Sequence, residues 1–199
     1  MKTAIRFCLL AACLAALPGL ARADWKAVEK VQTYAIAGKT GPELYESIGQ
    51  HGPKVSVGRT IALTNFKLTW RRDYRPQPDG ACTLVSAQPN LVITYTLPKP
   101  SGKLPAATQR LWDAFFDGMR RHEQVHGDRI REMVAEIVAF SVGLSAPDDP
   151  GCKKIRAELT KMLAAASQAQ RQHSRDFDRV EMSDGGNVHQ LILRLVNGQ

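Results

Sequence analysis

Residues 110–144, RLWDAFFDGMRRHEQVHGDRIREMVAEIVAFSVGL, decide the fold of this chain. Apolar side chains recur here at steps of three and four residues, which predicts one long amphipathic helix from about Thr108 to Leu144. The inward stripe consists of Leu111, Phe115, Met119, His122, His126, Ile130, Met133, Ile137, Phe140 and Leu144. Two histidines therefore occupy positions where the pattern predicts burial.

These histidines belong to an H-E-x-x-H motif, His122-Glu123-x-x-His126. The spacing of four residues places both imidazoles on one helix face, as two zinc ligands require. A glutamate directly after the first histidine is the general base of zinc peptidases with this motif. The competing interpretation is a pair of core histidines, but two buried imidazoles beside a carboxylate need partners or a metal to offset desolvation. We therefore predict Zn²⁺ held by His122 and His126, with Glu123 as the catalytic base.

A catalytic zinc site normally has a third protein ligand. The extension H-x-x-G-x-x-H fails, because Arg129 and Glu132 occupy its glycine and second histidine positions. A second helix is expected over about 152–180, antiparallel to the first, which brings His173 level with the motif and makes it a candidate third ligand. Acidic residues further along, including Asp178, become candidates if the chain folds back.

The rest of the chain predicts an α+β fold. Residues 24–106 contain mainly strand patterns with one short helix after Thr40, residues 107–181 form the helical hairpin, and 188–196 is a possible last strand. We expect a small, mainly antiparallel sheet packed on an antiparallel helical hairpin, in a single domain spanning 24–199.

Residues 1–23 have the pattern of a secretory signal peptide. Lys2 and Arg6 precede an apolar run from Phe7 to Leu17, and the segment ends in small residues at Ala21-Arg22-Ala23. The apolar run is too short to span a membrane. The sequence therefore predicts an exported protein, periplasmic or secreted, without stable membrane insertion after cleavage.

Cleavage would remove Cys8 and Cys13 and leave Cys82 and Cys152. Two cysteines in an exported protein most simply form a disulfide. The alternative, a pair of zinc-binding thiolates, is disfavoured because neither cysteine has a second ligand nearby in the sequence.

The charge of the chain does not indicate a nucleic-acid partner. The formal charge is +8, and removal of Lys2, Arg6 and Arg22 leaves 24 basic and 19 acidic residues, or +5. The basic residues are scattered without interleaved aromatic residues, which favours a solvated surface.

Several motifs in order resemble a bacterial domain-of-unknown-function family described as predicted secreted zinc-dependent proteases. They are Y-x-I-x-G-K-T-x-x-E-L-Y-x-S-I-x-x-x-G-P (34–53), LTWRRDYR (68–75), RLWDAFFDGMRRHEQVH (110–126) and DDPGC (148–152). The resemblance implies a zincin-like exported protein with His122 and His126 as metal ligands and Glu123 as base. It also supports a Cys82–Cys152 disulfide.

One departure from the family pattern concerns the end of the second helix. The family has Y-D-x-x-T-x-H-G there, whereas this chain has FDRVEMSDGG (177–186), with Ser183 in the histidine position. If that histidine is the family's third ligand, this protein uses Asp178, Asp184 or His173 instead, or binds zinc more weakly.

The sequence supports two hypotheses from different classes. The first is an exported zinc-dependent peptidase that hydrolyses a peptide or protein substrate. The alternative is a non-catalytic envelope protein whose H-E-x-x-H site is structural or decayed.

Overall fold

The computed structural model describes residues 25–56 and 58–198. The signal-peptide prediction concerns residues 1–23, which lie outside this range. In chain order the elements are β1 (Val28–Ile36), α1 (Gly41–His51), β2 (Lys54–Val55), β3 (Gly58–Arg59), β4 (Leu63–Pro76), β5 (Cys82–Pro100), α2 (Ala106–Ser141), β6 (Ser145–Ala146), α3 (Lys153–Met182) and α4 (Asn187–Asn197).

The long strand β5 is the centre of the main sheet. It pairs in antiparallel fashion with β4, in parallel with β1, and at its start in antiparallel fashion with β6. Alternate side chains along β5, from Leu91 through Ile93 and Tyr95 to Leu97, are at most 5% exposed. Successive strand residues point to opposite faces, so this alternation gives the sheet one buried face, onto which α2 packs.

The helices α2 and α3 form the predicted hairpin and cover that face. Ile130, Met133 and Val134 of α2 join Leu91 and Ile93 of β5 in one buried cluster. The predicted disulfide is present, because Cys82 at the start of β5 is bonded to Cys152 just before α3. The prediction of an α+β fold with a mainly antiparallel sheet, packed helices and one disulfide is confirmed.

The prediction of a last strand over 188–196 is wrong, because this segment forms the helix α4. Its apolar residues Val188, Leu191, Ile192 and Leu195 are spaced at three, one and three residues, which places them on one helix face. Val188 and Leu195 are buried in the cluster that contains α1 and the first half of α2. The helix period of this pattern, and not its apolar content, determines the structure.

Within the described ranges, no helix combines the length and the apolar character needed to cross a membrane.

Candidate metal centre

Three potential metal ligands meet where α2 and α3 pack against each other. His122 and His126 lie one turn apart on α2, and Asp178 faces them from the last turns of α3. The two Nε2 atoms are 3.2 Å apart, and Asp178 Oδ1 lies 3.2 Å from His122 Nε2 and 2.9 Å from His126 Nε2. Together they form a group of His and Asp side chains that could hold a metal ion.

The spacing of these three donor atoms fits a metal such as zinc. Two ligand atoms about 2.0–2.1 Å from a tetrahedral zinc lie about 3.3 Å from each other. The three observed separations of 2.9 to 3.2 Å are slightly shorter than this value. Imidazole nitrogen and carboxylate oxygen are also ligands that zinc accepts, so the donor set and its dimensions agree.

With a metal in the site, His122 would bind it through Nε2 and carry its proton on Nδ1. Its side chain is buried, and Phe177 stacks on the ring with centroids 4.8 Å apart. Nδ1 is buried without a hydrogen-bond partner and lies 3.7 Å from Glu181 Oε2. The other oxygen of Glu181 accepts a hydrogen bond of 2.7 Å from the side-chain amide of Asn187. A proton on Nδ1 would face this carboxylate, which is the usual arrangement behind a metal-bound histidine.

Glu123 lies beside the metal group and is held by the sheet. Its side chain is only 4% exposed, and the Thr64 hydroxyl donates a hydrogen bond of 2.5 Å to its Oε2. Thr64 pairs with Tyr95 in the β4–β5 ladder. Tyr95 in turn lies against Gly127 of α2, where a Cβ would come 2.1 Å from its hydroxyl oxygen. The glycine after the motif thus lets the helix approach the sheet closely, and this approach brings Thr64 to Glu123.

Burial and neighbouring charges shift the pKa values of Glu123, His122 and Asp178. Burial raises the pKa of Glu123, and the hydrogen bond from Thr64 and the nearby histidines only partly offset this effect. Burial would lower the pKa of His122, but Asp178, Glu123 and Glu181 outweigh it, so the pKa is raised. Burial would also raise the pKa of Asp178, but in the metal-free protein hydrogen bonds from the two histidines hold it well below its ordinary value. Asp178 is therefore ionised, as a metal ligand must be.

The structure brings Asp178 into the group and leaves His173 outside it. His173 is exposed on α3 and is not among the clustered ligands. Asp178 follows His173 by five residues, so the predicted level differs from the observed one by about 7.5 Å of helix. The reason is the connection between the helices, which is not a tight turn. It includes β6, which pairs with Cys82 and Thr83, and a level counted from the midpoint of the connection does not allow for this pairing.

Two residues of the site, Thr64 and Asn187, were not predicted from the sequence, and Glu181 was considered only among the acidic residues further along as a possible metal ligand. Glu181 follows Asp178 by three residues and shares its helix face, so helical spacing was a usable signal. Asn187 and Thr64 reach the site from α4 and β4 by tertiary packing. No local pattern in the sequence marks these two residues.

Residues 31–186 match the model of the family described as "Bacterial protein of unknown function (DUF922)". No curated protein and no solved structure matches the chain. Because the family match covers most of the sequence, including His122, Glu123, His126 and Asp178, the chain belongs to this bacterial family of unknown function.

Proposed function

We propose that this protein is an exported zinc-dependent peptidase. The observation that carries the proposal is the convergence of three metal-ligand atoms, from His122, His126 and Asp178, beside the buried carboxylate of Glu123. A zincin-like architecture and a location in the periplasm or outside the cell are parts of the same proposal.

The ligand count supports a catalytic rather than a structural metal. Structural zinc sites are usually closed by four protein ligands, whereas catalytic sites have three and leave one position open. The group found among the described residues has three members. When bound, zinc would act as a Lewis acid that polarises the scissile carbonyl and activates a water nucleophile.

In the proposed mechanism, Glu123 takes the proton of the attacking water and passes it to the leaving amine. Burial raises the pKa of Glu123, which makes its carboxylate a stronger base toward the proton of the water. Thr64 orients the carboxylate through its hydrogen bond to Oε2. The histidines and Asp178 would hold the metal, and Glu181, held by Asn187, would orient His122.

The edge of the sheet next to the site offers a place for a peptide substrate. The strand β4 is hydrogen-bonded to β5 along one edge, and its other edge has no strand partner in the described part of the chain. Thr64 near the start of β4 touches Glu123, so this edge begins beside the proposed base. An extended peptide added along it would be held by main-chain hydrogen bonds.

The proposal is tested first by zinc content and then by turnover. Mature protein exported to an oxidising compartment is expected to contain about one zinc per chain by elemental mass spectrometry, and His122→Ala none. Glu123→Gln should keep the metal and lose cleavage of a complex peptide mixture by at least about 100-fold, the usual contribution of a general base. Glu132→Gln, which changes an exposed acid on the same helix, is the matched control and should cleave normally.

Two results would contradict the proposal. If the wild type cleaves nothing although it holds zinc, and Glu123→Gln alters neither stability nor binding, the non-catalytic zinc protein is the better description. If the wild type takes up no zinc after loading, the prediction that these residues form a zinc site is wrong.

A further inference from the structure

A cavity of about 510 Å³ lies directly beside the metal centre, between α2, α3 and α4. His122 and Phe177, which form part of the centre, are also walls of the cavity. Its volume is within the ~300–1,000 Å³ of typical ligand sites. Leu191 of α4 packs against Gly118, where a Cβ would come 2.2 Å from Leu191 Cδ1. This contact holds α4 against α2 immediately before the motif, so the cavity is part of the packed fold.

The charged side chains that line the cavity differ in whether they have a hydrogen-bond or ion-pair partner. Glu181, the one acid among its described lining residues, is buried and held between Asn187 and His122. Arg121 and Arg194 are exposed and line the same cavity from two different helices. Neither arginine forms an ion pair with an acid in the described part of the chain. The lining of the cavity therefore includes two guanidinium groups that form no ion pair with the described residues.

The rest of the lining suits a peptide. Val125, Leu191 and the Phe177 ring provide apolar surface, and the Gln190 side chain provides an amide that can both donate and accept hydrogen bonds. Guanidinium groups bind carboxylates through paired, charge-assisted hydrogen bonds. A carboxylate on an otherwise uncharged peptide segment is thus the group that this combination best accommodates.

We propose that the cavity is the substrate subsite for a carboxylate next to the scissile bond, recognised by Arg121 and Arg194. The carboxylate belongs either to an acidic side chain or to the free C-terminus of the substrate. This inference rests on the proposed peptidase function, because the position next to the scissile bond follows from the shared wall at His122.

The test measures binding without turnover, in the Glu123→Gln variant. The first set of probes consists of acetylated and amidated hexapeptides of alanine and glycine with one glutamate, placed at each position in turn. The second set has glutamine in place of the glutamate. The third set consists of acetylated hexapeptides with a free C-terminal carboxylate. Dissociation constants are measured by NMR titration with and without zinc. One class of acidic probe should bind about tenfold more tightly than its uncharged counterpart, as expected for a charge-assisted hydrogen bond.

The arginine variants decide whether the cavity is responsible. Combined Arg121→Gln and Arg194→Gln substitutions should lower the affinity for the acidic probes to that for their uncharged counterparts. Arg120→Gln is the matched control, because Arg120 neighbours Arg121 in sequence but pairs with Asp117 at 3.4 Å and is not part of the cavity lining. It should leave the preference intact.

The inference and the proposed function fail in different ways. Equal binding of acidic and uncharged probes, no binding of any probe, or a preference that survives the double substitution would each overturn the carboxylate subsite. Absence of zinc, or of cleavage by the protein with Glu123 intact, would overturn the peptidase even where the carboxylate preference is observed.

Discussion

The two ends of the α2–α3 hairpin are stabilised in opposite ways. At the end near the start of α3, the Cys82–Cys152 bond, the cap from Asp149 and a cluster of fully buried apolar residues hold the chain in place. At the other end, two imidazole nitrogens and a carboxylate oxygen approach one another within 3.2 Å, and His122 Nδ1 has no hydrogen-bond partner.

The first end stabilises the fold by itself, whereas the second would become favourable if a cation occupied it. Buried polar groups that lack partners cost free energy, and a bound metal removes part of that cost. The comparison therefore separates residues that stabilise the fold from residues that could bind a metal. Stability at the disulfide end should be independent of zinc, and stability at the ligand end should depend on it.

The largest expected effect comes from breaking the disulfide. Combined Cys82→Ala and Cys152→Ala substitutions release a loop closed over a sequence separation of 70 residues. In the chain-entropy model this costs about 4 kcal/mol of unfolding free energy. Denaturant unfolding of the oxidised wild type and the variant measures the difference, and the reduced wild type should match the variant. If the folded variant also loses its zinc, the two ends of the hairpin are not independent.

Zinc should stabilise the protein by a smaller amount that depends on concentration. At a free zinc concentration 100 times the dissociation constant, linkage gives about 2.7 kcal/mol. Thermal unfolding with zinc and with a chelator measures this shift, which His126→Ala should abolish. His173→Ala is the matched control, because His173 is exposed and outside the ligand group, and it should retain the full shift. Loss of the shift in His173→Ala would assign the third ligand to His173 after all.

The same comparison explains which features the sequence predicts. The hairpin, the disulfide and the burial of His122 follow from local spacing and from cysteine count, because helix periodicity records which face is buried. The third ligand depends on how far the chain travels between the helices, and the pairing of β6 with Cys82 and Thr83 is a long-range event. Thr64 reaches Glu123 across 59 residues for the same reason. Local sequence patterns predict which side chains of one helix lie together. They do not predict which side chains from other helices or strands contact them.

Glu181 provides a finer test of the ligand end. We expect Glu181→Gln to weaken zinc binding about tenfold, the lower end of the effect of removing the carboxylate behind a metal-bound histidine. Competition with a chromophoric chelator measures the affinity, and the ¹⁵N NMR spectrum of His122 in the zinc-bound protein shows whether Nδ1 carries the proton. Asp184→Asn, an exposed acid beyond α3, is the control for charge alone. Equal weakening in both variants would mean that Glu181 acts only through its charge.

The smallest expected effect lies at the disulfide end and depends on pH. Asp149 is buried, and its carboxylate accepts hydrogen bonds from the backbone N–H groups of Lys153 at 2.7 Å and Ile155 at 3.0 Å. These donors belong to the first turn of α3, which has no partners within the helix for them. Burial would raise the pKa of Asp149, but the backbone hydrogen bonds outweigh it and lower the pKa.

Because this pKa is lower in the folded state, the carboxylate stabilises the protein above its unfolded pKa of about 3.9, and the contribution is lost as the pH falls through the folded value. Asp149→Asn should therefore lower Tm at neutral pH, and the difference from wild type should narrow as the pH falls below about 4. Asp148→Asn, which alters the exposed neighbour, should show no such pH dependence. A Tm difference that stays constant across this pH range would mean that the asparagine disturbs packing and that the ionised carboxylate is not the stabilising group. With or without zinc the result should be the same, because Asp149 belongs to the end of the hairpin that needs no metal.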